Sequence, residues 1–254
     1  MVIRASPLAR RLNGRIFASG RQASLSAQIV SDTRLALIDK AIRPGDFFGT
    51  EKDIAAHYGV SRIVARDALR SLEALGIVEI RMGKGGGARV AQGNPRLFAE
   101  ALAVQLDLTG VTVAEIMDAQ RAIECLAAEL AAENATQSDI ATLKAWLADA
   151  KAKISDVPAY TESCGKFHLA VAEASHNRVL VVQLISLQHV SWPADNPTLT
   201  PKVARRVLDV HSELAALIEI RDAAGARRLM DDHVRMIRAR RVAEHAKAAR
   251  RQCC

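Results

Sequence analysis

TEKDIAAHYGVSRIVARDALRSLEALGIVEIRMGKGGGARV, Thr50–Val90, contains two helical patterns, a tight turn and two strand-like runs around a glycine-rich tip. Thr50 and Asp53, three residues apart, form a capping box that opens a helix. Ile54, Ala55 and Tyr58 share its inward face, and Gly59 suits the left-handed turn that ends it. Ser61 caps the next helix, whose apolar stripe is Val64/Ala65, Ala68/Leu69, Leu72 and Leu75, with Gly76 as its stop. Arg62, Arg66 and Arg70 follow at four-residue steps, off that stripe and on one exposed face. Ile77–Arg81 and Ala88–Val90 read as short strands joined by Gly83–Gly87. Taken singly, an arginine row is usually a solvated face and a glycine-rich turn only a hairpin. As a nucleotide phosphate cradle the tip lacks a Gly-Lys-Ser/Thr ending and a following helix. The order of the parts is what matters. One helix enters a major groove by its N-terminal end while another braces it across the backbone, which is how a duplex is read.

Charge agrees once it is located. The chain of 254 residues has a net charge of +7. Residues 1–92 hold 15 Lys/Arg against 8 Asp/Glu, and the remainder holds 20 against 20, so the whole excess sits on the first part. Upstream, residues 26–40 read as a helix with Ile29, Val30, Leu35, Leu37 and Ile38 on its apolar face, ended by Pro44-Gly45. Residues 1–23 read as a flexible basic arm, residues 24–92 as the DNA-binding part and residues 93–250 as an all-helical part. Half the chain is apolar but only 4% is aromatic, which suits helix packed on helix. Four cysteines, Cys125, Cys164, Cys253 and Cys254, are too few and too irregular for a disulfide framework. No apolar run approaches the roughly 20 residues of a membrane span, and the basic N-terminus lacks a secretory apolar stretch, so a cytoplasmic protein is expected.

From Pro95 onward the pattern predicts a bundle of six or seven helices, broken at Thr109-Gly110, Asn134–Gln137, Ser155–Pro158, His176-Asn177 and Ser191–Thr200. Three histidines fall on apolar stripes. His168 shares one with Cys164, Phe167 and Val171; His211 with Leu208, Leu214, Ala215 and Ile218; His233 with Leu229, Met230, Met236 and Ile237. A single such histidine is usually a satisfied core residue. Three on three helices, with Cys164 one turn before the first, could converge on a metal ion.

Val60–Val90, with the preceding Ile42–Gly59, resembles the winged helix-turn-helix of the GntR family of bacterial transcription regulators: three helices and a β-hairpin wing. The resemblance spans about Ser24 to Val90. It implies that Lys52, Arg62 and Arg66 contact phosphates and base edges, with Ser61 and Arg70 beside them. It also implies that the wing, with Lys84, Gly85 and Gly86, enters the adjacent minor groove of double-stranded DNA. Val64 stands where the family often has Pro, and Ala65 where Val is common.

RAIECLAAELAAENAT (Arg121–Thr136) and KFHLAVAEASHN (Lys166–Asn177), with His211 and His233, resemble the FadR-type C-terminal ligand-binding domain, abbreviated FCD. That resemblance implies a divalent ion held by His168, His211 and His233, zinc first, with nickel or manganese as alternatives. It further implies a small carboxylate effector contacted by Arg121 and Asn177. The family's aspartate position is Cys164 here. As a thiolate, Cys164 would close a Cys-His₃ tetrahedron; as a buried thiol it would leave coordination positions open for water or effector oxygens. Arg121 could alternatively pair with Glu124 or Asp118 at the surface. The expected protein is a homodimeric, ligand-responsive regulator, a repressor released by its effector, on an inverted-repeat operator. Two other readings are a helical part that only dimerises, and an enzyme using Cys164 and His168 as nucleophile and base. Against the last, no oxyanion motif or third orienting group is evident.

Overall fold

The computed structural model describes residues 24–83, 85–191 and 199–252, and these part into two compact units between Leu97 and Phe98. The basic arm (1–23), Lys84, most of the Ser191–Thr200 loop (192–198), Cys253 and Cys254 lie outside the described residues.

In the first unit α1 (Leu25–Ile38) starts at Ser24, whose hydroxyl accepts from the Ala27 amide. Strand β1 (Phe47–Gly49) leads to α2 (Glu51–Tyr58), and the Thr50/Asp53 capping box is formed in full. Gly59 takes φ 64°, the left-handed turn that the chain needs to reach Ser61. Then come α3 (Arg62–Ala74), β2 (Val78–Arg81) and β3 (Gly87–Val90). The strands form an antiparallel sheet in the order β1-β3-β2, with Val78 opposite Val90 and Ile80 opposite Ala88. Ile29, Phe48, Ile54, Ala65, Leu69, Leu72, Val78 and Val90 fill the core between helices and sheet. This is the expected winged helix-turn-helix with one strand more than the sequence announced. Three residues of β1 are too few to show an alternating pattern, and the Gly45 and Val90 amides hold that edge by bonds to Val90 and Asp46 carbonyls.

Two local expectations are corrected. On α1 the buried face is Ile29, Thr33 and Ala36, while Leu35 and Ile38 face solvent. Thr33 is admitted to the core because its hydroxyl donates to the Ile29 carbonyl at 2.7 Å. Leu75 is the C-cap of α3 and is exposed, so the stripe ends at Leu72.

The second unit carries the helices α4 (Pro95–Thr109), which begins at the junction, α5 (Val113–Asn134), α6 (Gln137–Ala152), α7 (Val157–Ala174), α8 (Arg178–Ser191), α9 (Pro201–Glu219) and α10 (Ala223–Gln252). Capping boxes at Thr112/Glu115 and Thr136/Asp139 open α5 and α6. Helix α5 is the hub, packed against α7, α8, α9 and α10. Its buried Ala127, Ala128, Ala131 and Ala132 allow those neighbours to approach closely. Arg221 joins α9 to α10 at φ 66° and donates from Nη1 to the Ala132 carbonyl at 3.1 Å, satisfying the end of α5. Leu143, Phe167, Val171, Leu214, Ile218, Met230 and Val234 close the main core, while Met236 is exposed.

The wing depends on Gly87. It sits at φ +135°, and a Cβ there would lie 2.8 Å from the Phe47 ring and 3.2 Å from the Gly49 carbonyl. Gly87→Ala is therefore expected to destabilise the first unit by about 1–3 kcal/mol. Denaturant unfolding followed with operator binding checks this; an unchanged midpoint would show that the β1–β3 contact is not tight.

Candidate functional site

On the first unit, the N-terminus of α2, the outer face of α3 and the wing frame a groove of about 700 Å³. Lys52, Arg62, Arg66, Arg70, Arg81 and Gly86 line it. Ser61 is spent on its cap, accepting from the Val64 amide. Arg66 is not free: its Nε and Nη2 donate to both Glu51 oxygens at 2.7 and 2.9 Å. That guanidinium holds the Glu51 carboxyl below its usual range. Both partners are exposed, so the pair is readily exchanged for a phosphate or a guanine edge. Meanwhile it aims the guanidinium into the groove.

In the second unit α7, α9 and α10 each turn one histidine inward. His168, His211 and His233 are all at most 2% exposed, and the donor atoms they offer lie within 4.8 Å of one another. His211 Nε2 and His233 Nε2 are 3.0 Å apart. Two nitrogens about 2.1 Å from one ion and at right angles would be separated by about 3.0 Å. Phe167 stacks on His211 with ring centroids 4.5 Å apart, holding that ring in place. His168 is oriented from behind: its Nδ1–H donates to Glu124 Oε2 at 2.7 Å, leaving Nε2 with a lone pair. Gln120 Nε2 donates to the other Glu124 oxygen at 2.6 Å. This is the carboxylate–imidazole arrangement found behind metal ligands. The three donors could together hold a metal ion.

At His211 and His233 electrostatics favour the neutral imidazole. Burial, aided by its two histidine neighbours, holds His211 well below its ordinary value. Burial and the nearby His168 and Arg240 bring His233 down to about 3. Protons therefore do not compete for these nitrogens near neutrality. Cys164 lines the same cavity, but it is outside the set of converging donors. Burial pushes its thiol up to about 11, so without an ion beside it Cys164 keeps its proton and is a poor nucleophile. The cavity has room of about 30 Å³, enough for an ion with a water or two.

A profile for bacterial regulatory proteins of the gntR family matches residues 25–87, and one for the FCD domain matches residues 115–236. The Uxu operon transcriptional regulator of Escherichia coli K12 is 30% identical over 214 residues, covering 80% of this chain and 81% of the relative. The chain belongs to the GntR family, with an FCD domain. The Glc operon transcriptional activator of Escherichia coli K12 is 26% identical over 212 residues, covering 80% and 83%. Among solved structures, Streptococcus agalactiae GntR superposes with a TM-score of 0.64 at 19% identity, over 84% of this chain and 99% of that one, a likeness of fold. GntR/FCD proteins are DNA-binding transcription regulators that respond to ligands through the FCD domain, and they are not enzymes. The nucleophile–base reading of Cys164 and His168 therefore falls.

Two predicted effector residues of this GntR regulator lie elsewhere. Arg121 pairs with Asp231, which also binds Arg235 at 2.9 Å, on a separate charged groove with Asp118, Arg227 and Arg228. Its guanidinium is thus committed to the α5–α10 contact rather than to the histidine cavity. Asn177 caps α8, its Oδ1 accepting from the Val179 amide at 3.1 Å. Nor does Glu124 serve as a surface partner for Arg121: it is 1% exposed and holds His168, while Asp118 binds Arg238. Glu124 was findable. It follows Met117 and Gln120 by seven and four residues on the inward face of α5. Arg240, seven residues after His233 on α10, carries the same kind of signal.

Neutral buried histidines make stability sensitive to acid. A depressed folded-state value means the stability is complete above the unfolded value of about 6.5 and is lost as pH falls. For His233 that window runs from about 6.5 down to about 3. Chelator-treated protein should lose about 1.4 kcal/mol per pH unit for each such histidine between pH 6.5 and 5. A His233→Gln variant should show a shallower slope; equal slopes would contradict burial as the cause.

Proposed function

We propose that this regulator is a cytoplasmic homodimer that represses from an inverted-repeat operator and is released by a small carboxylate. Residues 24–92 would bind DNA, and residues 93–250 would dimerise and bind the effector. The carrying observation is the three-histidine cluster: buried donors converging from three separate helices, with Glu124 behind one of them. A divalent ion, zinc first with nickel or manganese as alternatives, would be held by His168, His211 and His233. When bound it would supply open positions for effector oxygens, because Cys164 is not among the converging donors. An effector larger than the present cavity has to part α7, α9 and α10. That work is the coupling: the ligand shifts operator affinity only through its different affinity for the two arrangements.

For the metal, purified protein is expected to contain or take up one equivalent of zinc, nickel or manganese by elemental analysis. A His211→Ala/His233→Ala variant should not. Glu124→Ala, which leaves the His168 ring unheld, should weaken metal binding about 10–100-fold. Wild type that neither carries nor takes up metal would sink the site.

On the DNA side, Lys52, Arg62, Arg66 and Arg70 share one groove with the wing. Arg66→Ala should lose about 1–3 kcal/mol of operator binding if it reads a base. Affinity should fall steeply between about 50 and 200 mM salt, as counterion release requires. Gel-shift titrations of wild type and the Arg62→Ala/Arg66→Ala variant decide it; equal affinities would refute the interface. Adding the effector should release the duplex, and tighter binding instead would make the regulator an activator by co-binding.

A further inference from the structure

Arg240 lies seven residues beyond His233, two turns further along the same face of α10. It lines the histidine cavity beside Tyr160, Thr161 and Cys164. Its Nε is buried without a hydrogen-bond partner, and no ion pair joins it to a carboxylate among the described residues. A guanidinium cannot shed its charge, and a buried donor left unmade is expensive. Arg240 is also electrostatically close to the centre: its charge draws both the Cys164 thiol and the His233 imidazole downward. Its neighbour Arg241, on the same cavity wall, has Glu244 as an acidic neighbour.

Among the described residues that line the cavity, none is a carboxylate that could pair with Arg240. Tyr160 gives its hydroxyl proton to the Ala204 carbonyl at 2.6 Å, and Cys164 is a neutral thiol. The one buried carboxylate behind the histidines, Glu124, is already shared between His168 and Gln120. With a divalent ion in place, the ion and one guanidinium face a single carboxylate. The excess is about two positive charges, and a buried excess of that kind calls for a paired anion.

We infer that the effector is a small diacid: one carboxylate completes the shell of the ion and the second is bound by Arg240. The inference rests on the proposed ion site and adds to it the chemical class of the ligand and the residue that selects it. A guanidinium binds a carboxylate through two parallel hydrogen bonds, so Arg240 fixes orientation as well as charge. Monoacids of similar size leave the guanidinium unpaired and bind more weakly.

The test uses the full chain loaded with zinc and the probes acetate, butyrate, malonate, succinate and glutarate, read by calorimetry and by thermal shift. At least one of the diacids should bind at least tenfold more tightly than the monoacids and raise Tm. Arg240→Met should remove that preference while keeping its metal content by elemental analysis, and Arg240→Lys should restore part of it. A monoacid that binds as tightly as every diacid, a diacid preference that survives Arg240→Met, or no binding by any probe overturns the diacid assignment while the ion site stands. Loss of metal from wild type itself overturns both.

Discussion

Among the described residues one acid, Glu124, is in the core, and it is there because His168 needs it. A carboxylate out of water is tolerated only when both oxygens are engaged, and here His168 takes one and Gln120 the other. The bond reaches from α5 to α7 and fixes which imidazole nitrogen faces the cavity. His211 is set by the Phe167 ring stacked on it, and His233 by its 3.0 Å approach to His211. A polar centre thereby sits inside an otherwise apolar bundle, surrounded by Met117, Phe167, Leu214, Met230 and Val234.

The alanine-rich hub makes that centre a mechanical element as well. Helix α5 presents small side chains to α7 and α10, so the helices that carry the histidines rest on one surface with little side-chain bulk between them. Close-packed interiors do not deform smoothly; they change by discrete repacking. With room for scarcely more than an ion, the cavity couples occupancy by anything larger to such a repacking. In the DNA-binding unit a parallel device holds Arg66, whose guanidinium is fixed by both oxygens of Glu51.

Much of this was legible in the sequence, and for identifiable reasons. Capping residues at Thr50, Ser61, Thr112, Thr136 and Thr200 mark helix starts because their side chains satisfy otherwise orphaned amides. The stripes that carry His168, His211 and His233 showed that the three imidazoles point inward, since helical spacing alone settles that. What spacing cannot show is which polar neighbour comes from another helix. Glu124 therefore looked like a surface acid though it is buried behind His168, and Arg121 like a residue of the histidine cavity though it lies on a separate charged groove. Strand β1 was illegible because its pairing depends on backbone bonds to β3 rather than on its own side chains. Leu35 and Ile38 misled because apolar side chains are common on surfaces.

We propose that the ion is held by three imidazoles while Cys164 remains a thiol. Zinc-edge X-ray absorption on the loaded protein tests this directly. The expected shell has three imidazole nitrogens at about 2.0–2.1 Å, light oxygen scatterers filling the remaining positions, and no sulfur. A sulfur scatterer at about 2.3 Å would place Cys164 on the metal and contradict it.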